Sequence, residues 1–191
     1  MNLLLLSPVR PQIERYFLER GDCLKRVEGE LNLGDSRLAW MDYTISFGYR
    51  HLLSAEIANK YSGRILNVHI SYLPWNRGAD PNLWSFLEDT PKGVSIHLVD
   101  ESIDTGPLLA REKVQMLSGD TLASSYHRLE KSATGLLKRV WPGFINGSLK
   151  PQPQETEGTS HASKDKIPWL PFLTKGWETP ICELERKAIR D

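Results

Sequence analysis

The sequence predicts an α/β fold: a Rossmann-like, mostly parallel, twisted sheet flanked by helices, with a short C-terminal arm. Three observations support this prediction. Apolar, β-branched runs alternate with segments of helical periodicity, which is typical of β-α-β units. The 191 residues suffice for one domain with a sizeable core, but not for two large ones. After Leu149 the composition becomes polar, so we assign residues 1–149 to the main domain and residues 150–191 to an extension packed on it.

Six segments have the composition of β-strands. In chain order they are Asn2–Leu6, Cys23–Val27 and residues 42–49, 64–70, 93–99 and 108–114. Ser7 and Pro8 close the first segment and are turn residues, which suits a central strand. The opening apolar run has neither a basic leader nor a small-residue cleavage site, so we interpret it as a strand and not as a signal peptide.

Four segments show helical periodicity or helix-capping residues, namely residues 11–20, 54–61, 80–87 and 120–140. Ser54 is expected to cap the second helix, and Gly63 follows its end. Apolar residues at helical spacing make the fourth helix long and amphipathic, with Thr121 or Asp120 as its cap. Residues 28–37 are polar and are expected to be irregular, and residues 151–166 are expected to be extended or mobile. Residues 167–191 are rich in aromatic residues and could include a terminal helix.

Composition and charge are those of an ordinary globular protein, with 40% hydrophobic and 25% charged residues. Lys+Arg and Asp+Glu balance at 24 each, which argues against a nucleic-acid or membrane-surface partner. No apolar run reaches the roughly 18 residues that cross a bilayer. Cys23 and Cys182 lack metal-ligand spacing, so we expect two free thiols in a cytoplasmic protein.

The usual glycine-rich phosphate loops are missing from the sequence. The first strand is followed by SPVRPQ, and neither G-x-G-x-x-G nor G-x-x-x-x-G-K-[ST] occurs. The sheet is therefore not expected to bind a dinucleotide or a nucleoside triphosphate in the usual way.

Two polar side chains, Asn67 and His69, interrupt the fourth predicted strand just before it ends. Side chains alternate along a strand, so these two point to one face and Val68 to the other. In an open α/β sheet, ligands bind beyond the carboxyl ends of the strands. A His titrates near neutral pH, and an Asn amide can donate to a developing oxyanion. The pair is therefore a candidate for chemistry at this edge of the sheet.

An acidic loop follows the fifth predicted strand, with Asp100, Glu101 and Asp104 directly after GVSIHLV. A carboxylate there could orient the imidazole or relay a proton. No Ser or Cys nucleophile lies nearby, so Asn, His and Asp together suggest direct group transfer through a tetrahedral intermediate.

Structural roles for the same residues stay open. A strand-end Asn or His is commonly a hydrogen-bonded structural residue, and the acidic loop could be a solvated turn or one side of a metal site. His97 fits a half-exposed sheet position. A metal hydrolase using His69, His97 and Asp100 is a further alternative, although no helix carries an H-E-x-x-H pattern.

Two long motifs resemble the formyltransferases that use 10-formyltetrahydrofolate. They are NVHISYLPWNRGADPNLW, residues 67–84, and KGVSIHLVDESIDTGPLL, residues 92–109. The family carries N-x-H-x-S-x-L-P-x-x-R-G and then [TK]-G-V-[ST]-x-H-x-[MVI]-D-x-x-x-D-x-G, and both appear here in that order. The likeness begins at DYTISFGYRHLL, residues 42–53, whereas the first forty residues are shorter than in typical members and resemble them weakly.

The resemblance implies roles for individual residues. Asn67, His69 and Asp104 fall on the family's catalytic Asn, His and Asp. A substrate amine would attack the formyl carbon of 10-formyltetrahydrofolate, the implied cofactor. His69 would stabilise the oxyanion or shuttle a proton, and Asn67 would donate to the same oxygen. Asp104 would support His69 and proton transfer through water. The region that holds the pterin ring would comprise Tyr49, Arg50, His51, Leu52, Leu53, Asp100, Ile103 and Asp104.

The loop of residues 72–82 is expected to form part of the cleft wall beside the formyl group. Trp75, Arg77 and Gly78 are its candidates for substrate binding, with structural contacts as the alternative for Trp75 and Arg77. The resemblance implies no metal ion.

The family divides by the amine that accepts the formyl group. Enzymes that act on initiator methionyl-tRNA carry a further C-terminal domain and basic surfaces, whereas this chain ends at Asp191 with zero net charge, so no nucleic-acid partner is expected. Glycinamide ribonucleotide enzymes would need a glycine-rich turn where SPVRPQ stands. The sequence is closer to enzymes that act on nucleotide-linked amino sugars, and Trp75, Trp84 or Trp169 could stack on the base.

Three other functions stay open. The chain could be a glycinamide ribonucleotide-type enzyme, could pass the formyl group to water as formyltetrahydrofolate deformylases do, or could be a folate-binding remnant without turnover. A homodimer is compatible with the sequence, and a membrane partner is not expected.

Overall fold

The computed structural model describes residues 1–154 and 157–189. The strands within these ranges are β1 (Asn2–Leu6), β2 (Cys23–Val27), β3 (Tyr43–Ser46), β4 (Ile65–His69), β5 (Arg77–Gly78), β6 (Gly93–Leu98), β7 (Leu108–Lys113) and β8 (Ser160–His161). The six longer strands form one sheet in the order β2-β1-β3-β4-β6-β7, and β5 pairs with β8 apart from it.

Most of the large sheet is parallel. β1 runs parallel to β2 and β3, and β3 runs parallel to β4, whereas β6 is antiparallel to both of its neighbours, β4 and β7. The predicted α/β class with a mostly parallel sheet is confirmed. Each of the six strands expected from the sequence is present, although β3 covers only Tyr43–Ser46 of the segment predicted at residues 42–49.

The α-helices are α1 (Pro11–Glu19), α2 (Ser36–Trp40), α3 (Ala55–Lys60), α4 (Pro81–Leu87) and α5 (Leu122–Ile145). Ser54 caps α3 by accepting from the N–H of Ile57, and Thr121 caps α5 by accepting from the N–H of Ser124. The prediction that residues 28–37 are irregular missed the start of α2, whose single turn and a half is too short to produce a periodic signal. No helix within the described ranges is long and apolar enough to cross a membrane.

Both faces of the sheet are buried, which explains the continuous apolar run of β1. Leu3 and Leu5 pack in a core shared with α1 and α5, and Leu4 and Leu6 pack in a second core with α2 and α3. All four leucines are fully buried. A strand covered on both sides needs apolar residues at every position, and not only at alternate positions.

The C-terminal arm lies along the main domain. Gln152 pairs with Leu108 through two backbone hydrogen bonds of 2.7 and 2.8 Å, and β8 then pairs with β5. The described residues up to Ala162 are thus extended, which is one of the two predicted alternatives, whereas residues 163–166 form a turn. Residues 155–156 lie outside the described residues. The division at residues 149 and 150 stays a prediction.

The prediction of a terminal α-helix within residues 167–191 is wrong for the described residues. The segment forms three short 3-10 helices at Ile167–Phe172, Gly176–Glu178 and Ile181–Glu183. After the last of these, the N–H groups of Arg186 and Ala188 donate to the carbonyl groups of Phe86 and Leu87 at the end of α4. These donors therefore satisfy a neighbouring helix terminus instead of forming a helix of their own. Residues 190–191 lie outside the described residues.

Candidate active site

Asn67, His69 and Asp104 come together at the carboxyl edge of the sheet. Asn67 and His69 lie on β4 and point to the same face, while Val68 packs in the apolar core. Asp104 lies on the loop between β6 and β7. The Nδ2 group of Asn67 donates to Oδ1 of Asp104 over 2.9 Å, and Nδ1 of His69 lies 3.5 Å from Oδ2 of Asp104. Three polar groups far apart in sequence thus share one site.

His97 is the fourth polar side chain of this site. The prediction that His97 is half-exposed is wrong, because the residue is only 1% exposed. The antiparallel ladder between β4 and β6 places His97 directly opposite Asn67. Its Nδ1 group donates to the carbonyl of Leu98 over 2.8 Å, so in the neutral ring Nε2 accepts from Asn67 over 3.2 Å. Asn67 therefore bridges His97 and Asp104.

The Asp104 carboxylate is nearly buried and has partners on both oxygens. His97 Nε2 lies 3.3 Å from Oδ1, and the N–H of Gly78 donates to Oδ2 over 2.9 Å. Burial alone would raise the pKa of Asp104. The charge that His69 carries when protonated, the hydrogen bond and charge that His97 supplies when its Nε2 is also protonated, and the N–H of Gly78 outweigh burial and hold this pKa well below its usual range. The site therefore contains a carboxylate that is ionised throughout the neutral pH range.

The imidazole of His69 is oriented from both sides. One ring nitrogen, Nδ1, faces the Asp104 carboxylate, and the other, Nε2, lies 2.9 Å from the carbonyl oxygen of Asn76. Such double anchoring fixes the plane of the ring. Nε2 has to leave the Asn76 carbonyl before it can exchange a proton with a substrate.

These residues line a cleft with a volume of about 660 Å³. All the predicted pterin-binding positions also line it: Tyr49, Arg50, His51, Leu52, Leu53, Asp100, Ile103 and Asp104. Two of them are apolar and exposed to solvent, since Leu52 is 73% and Ile103 50% exposed. A volume of this size is typical of small-molecule sites, and the exposed apolar side chains offer surface that a flat ring can cover.

Gly78 lines the cleft, but Trp75 and Arg77 lie outside its lining, as the described residues define it. The guanidinium of Arg77 donates to Oε1 of Gln154 through Nε at 3.2 Å and through Nη2 at 2.8 Å. Trp84 and Trp169, the other aromatic candidates for base stacking, are likewise absent from the lining among the described residues. Trp84 is instead buried in the core beneath the arm, with Trp169 packed edge-on against it.

The lining residues that the sequence did not indicate include Tyr126 of α5 and three residues of the arm, His161, Ala162 and Ser163. The arm residues arrive there because β8 pairs with β5 directly beside Gly78. The ring of His161 stacks on Trp84 with centroids 3.8 Å apart, and its Nε2 lies 3.2 Å from Oε2 of Glu88. His161 is a single histidine in a polar segment, so no sequence pattern predicted that it would reach the cleft.

The described residues contain no group of three or more His, Cys, Asp or Glu side chains that could hold a metal ion. Asp100, named in the metal-hydrolase alternative, accepts hydrogen bonds within its own loop from the N–H of Ser102 and the hydroxyl of Thr105.

Comparison with known proteins places the chain in one family. The family model described as Formyl transferase matches residues 27–141. The chain belongs to the formyl transferase family. The resemblance seen in the motifs at residues 67–84 and 92–109 is thereby confirmed, and the matched region contains Asn67, His69, His97 and Asp104.

The relatives of this chain differ in the share of their own length that the chain covers. It is 36% identical over 152 residues to a methionyl-tRNA formyltransferase from Myxococcus xanthus, an alignment that spans 76% of this chain but only 46% of the relative. It is 40% identical, with a TM-score of 0.96, to the formyltransferase PseJ from Anoxybacillus kamchatkensis, whose structure contains UDP-4,6-dideoxy-4-formamido-L-AltNAc and tetrahydrofolate. That likeness covers 99% of this chain and 100% of the other.

A 4-N formyltransferase from Francisella tularensis is a more distant structural relative. Its TM-score is 0.75 at 19% identity, over 86% of this chain and 77% of that one. At this identity the likeness concerns the fold alone.

Proposed function

We propose that this protein transfers a formyl group from 10-formyltetrahydrofolate to the primary amine of a nucleotide-linked amino sugar. The observation that carries the proposal is the convergence of Asn67, His69 and an ionised Asp104 on one cleft of about 660 Å³. The likeness to PseJ over the whole length of both chains supports this type of acceptor more than the partial match to a methionyl-tRNA enzyme does.

The residues of the cleft fit a reduced folate. Its pterin ring carries donors and acceptors along its edge, which backbone N–H and C=O groups can bind without charged side chains. The segment of residues 49–53 and the loop of residues 100–104 face the cleft. Leu52 and Ile103 would cover the ring faces and lose their present exposure to water. When bound there, the folate supplies an activated formyl carbonyl.

Each polar residue has a distinct part in the proposed transfer. The Asn67 amide would donate to the oxygen that becomes negative, by exchanging its contact with His97 for that oxygen. His69 would stabilise the same charge and carry a proton through Nε2, by exchanging its contact with the Asn76 carbonyl for the substrate. Asp104, whose low pKa makes it a weak base, would orient His69 and stabilise the positive charge that develops on the attacking amine. The bond between the formyl carbon and the folate nitrogen would break as the amine keeps the formyl group, and the amine proton would pass through water to that nitrogen.

The acceptor would lie against the part of the cleft that the arm completes. His161, Ala162 and Ser163 line that part, next to Gly78 on the neighbouring strand. Trp75, Trp84 and Trp169 lie outside the lining of the described cleft. Of the lining residues, Phe47 is fully buried and Tyr49 belongs to the proposed pterin segment, so Tyr126, which is 37% exposed, is the aromatic residue proposed to stack on a nucleotide base.

The test is tetrahydrofolate release from 10-formyltetrahydrofolate in the presence of UDP- and dTDP-linked amino sugars, glycinamide ribonucleotide, or no amine. We expect release only with a nucleotide-linked amino sugar. Release without amine would favour hydrolysis, and folate binding without any release would favour the remnant.

His69→Ala and Asp104→Ala should each lower turnover at least ~100-fold, the scale of losing an oxyanion or acid–base group. His127→Ala, which removes an exposed histidine, and Asp89→Ala, which removes an exposed carboxylate, are the matched controls and should keep full turnover. Wild-type turnover in either site variant would refute the assigned roles.

The homodimer that the sequence permits, and the cytoplasmic location expected from the sequence, are part of the same proposal. Size-exclusion chromatography with light scattering tests the first, and cell fractionation tests the second.

A further inference from the structure

Asp104 has a backbone conformation that needs external support. Its φ is +55°, in the left-handed region that non-glycine residues seldom occupy. Such conformations persist where surrounding contacts enforce them. The loop is also tight two residues later, since a Cβ on Gly106 would lie only 1.8 Å from the carbonyl oxygen of Leu98. The loop from Asp104 to Gly106 therefore needs contacts from outside it that hold its backbone in this conformation.

Gln154 of the arm provides this support. Its Nε2 group donates to the carbonyl oxygens of Asp104 and Gly106, each over 2.8 Å. The carbonyl of Asp104 is thereby fixed from outside the loop, while its carboxylate is held by groups of β4, β5 and β6. Both hydrogens of the Gln154 amide are used, and both by the loop that carries Asp104.

The other end of the Gln154 amide is anchored as well. Its Oε1 accepts from two nitrogens of Arg77, and Arg77 lies on β5 immediately before Gly78, whose N–H donates to the Asp104 carboxylate. Arg77 therefore determines which way the amide faces: its oxygen points to the guanidinium, and its nitrogen points to the two carbonyls. A single side chain from the arm links the strand on one side of Asp104 with the loop that carries it.

We propose that Gln154 is a positioning residue, which fixes the Asp104 loop so that the carboxylate meets Asn67, His69 and the Gly78 N–H. The proposal builds on the formyl transfer proposed above but concerns a different residue, one that lies outside the lining of the described cleft. Gln154 touches no reacting atom. It acts through Asp104.

The charged and titratable groups around Asp104 determine what losing this support does. His69 faces the carboxylate from β4 and His97 faces it from β6, Arg77 is near through Gln154, and Asp100 lies four residues earlier on the same loop. When the loop relaxes, the carboxylate moves away from the histidines and from the Gly78 N–H, which are the groups that lower its pKa. The carboxyl group should then titrate at a higher pH.

The experiment compares three variants with the wild-type chain. Gln154→Met keeps the length of the side chain but removes the donors, and Gln154→Glu places a carboxylate oxygen against the two carbonyls. Gln152→Glu is the matched control, because it makes the same change two residues earlier, on an exposed side chain that donates to the carbonyl of Lys150 over 3.4 Å. Gln154→Asn, one methylene shorter, replaces either variant that does not fold.

The first readout is the titration of the Asp104 carboxyl carbon, followed by NMR in protein labelled with ¹³C at aspartate and assigned with Asp104→Asn. We expect the titration to move to higher pH in Gln154→Met and Gln154→Glu, and to stay in place in Gln152→Glu. A shift in Gln154→Glu without one in Gln154→Met would reflect the added charge alone and would overturn the proposal, as would no shift in either.

The second readout is turnover in the acceptor assay. Misplacing a reacting group by about 1 Å costs on the order of 100-fold, so both Gln154 variants should lose about 10- to 100-fold in kcat with little change in KM for the folate. Equal losses in kcat for Gln152→Glu would overturn the proposal. If the wild-type chain transfers no formyl group, the proposed function fails, but the NMR titration still decides whether Gln154 positions Asp104.

Discussion

Replacing Gly78 with alanine should separate the arm from the edge of the cleft. The backbone of Gly78 has a φ of +85°, and a Cβ there would lie 2.3 Å from the carbonyl oxygen of His161, which is too close for any real contact. That oxygen also accepts from the N–H of Ala79 over 2.8 Å, and the N–H of Arg77 donates to the carbonyl of Thr159 over 2.9 Å. The clash involves backbone on both sides, so it is relieved only by parting β5 from β8.

The magnitude follows from the two hydrogen bonds that part. Each contributes about 1 kcal/mol net to the free energy of unfolding, so the pairing is worth about 2 kcal/mol. Gly63→Ala is the matched control, because Gly63 has a φ of +75° and a Cβ added there would meet no atom within 4 Å among the described residues. In both variants an alanine must adopt a left-handed backbone conformation, which costs about 1–2 kcal/mol. Both substitutions also reduce the conformational entropy of the unfolded chain to the same extent.

Urea unfolding measures the difference. We expect Gly78→Ala to lose about 2 kcal/mol more than Gly63→Ala, and to lose turnover as well, since the N–H of Gly78 holds Asp104. Equal losses of stability in the two variants would refute the argument that the arm is seated by this backbone contact.

Two further predictions concern stability away from the cleft. Arg128 hydrogen-bonds both carboxyl oxygens of Asp120 at 3.1 Å and holds the pKa of Asp120 at about 2, below its ordinary 3.8. The ion pair therefore stabilises the fold fully at a pH above the pKa of Asp120 in the unfolded chain, and this stabilisation is lost as the pH falls through the pKa of Asp120 in the folded protein. The gap in unfolding free energy between wild type and Asp120→Asn should shrink as the pH falls from about 5 to about 2. Asp89→Asn, in an exposed ion pair, should show almost no gap at any pH, and a constant gap for Asp120→Asn would contradict this reasoning. Trp141→Ala should cost about 3–5 kcal/mol, because Trp141 is fully buried with Phe17 edge-on at 5.1 Å. Trp177→Ala, at a residue that is 51% exposed, should change the free energy of unfolding by no more than about 0.5 kcal/mol. Losses of similar size in the two tryptophan variants, measured by urea unfolding, would mean that burial does not determine their contribution to stability.

Local sequence signals were sufficient for most elements. The capping roles of Ser54 and Thr121 followed from side chains that bond the backbone two or three residues on, a contact that needs no tertiary structure. The shared face of Asn67 and His69 followed from the alternation along a strand. The terminal segment failed for the opposite reason, because its backbone donors bind the end of α4, about 100 residues away in sequence.

The sequence by itself determined the α/β class, the position of the polar pair at the end of β4 and, through two motifs, the family. These are properties of short segments, since alternation, capping and motif spacing act over a few residues. Only the tertiary structure decided that His97 faces Asn67, that Gln154 reaches the Asp104 loop and that His161 reaches the cleft. Those placements depend on the register of an antiparallel ladder and on the docking of an arm, which join residues 30, 50 and more positions apart. No local pattern encodes such a pairing, because its energy comes from contacts that exist only when both distant segments are folded.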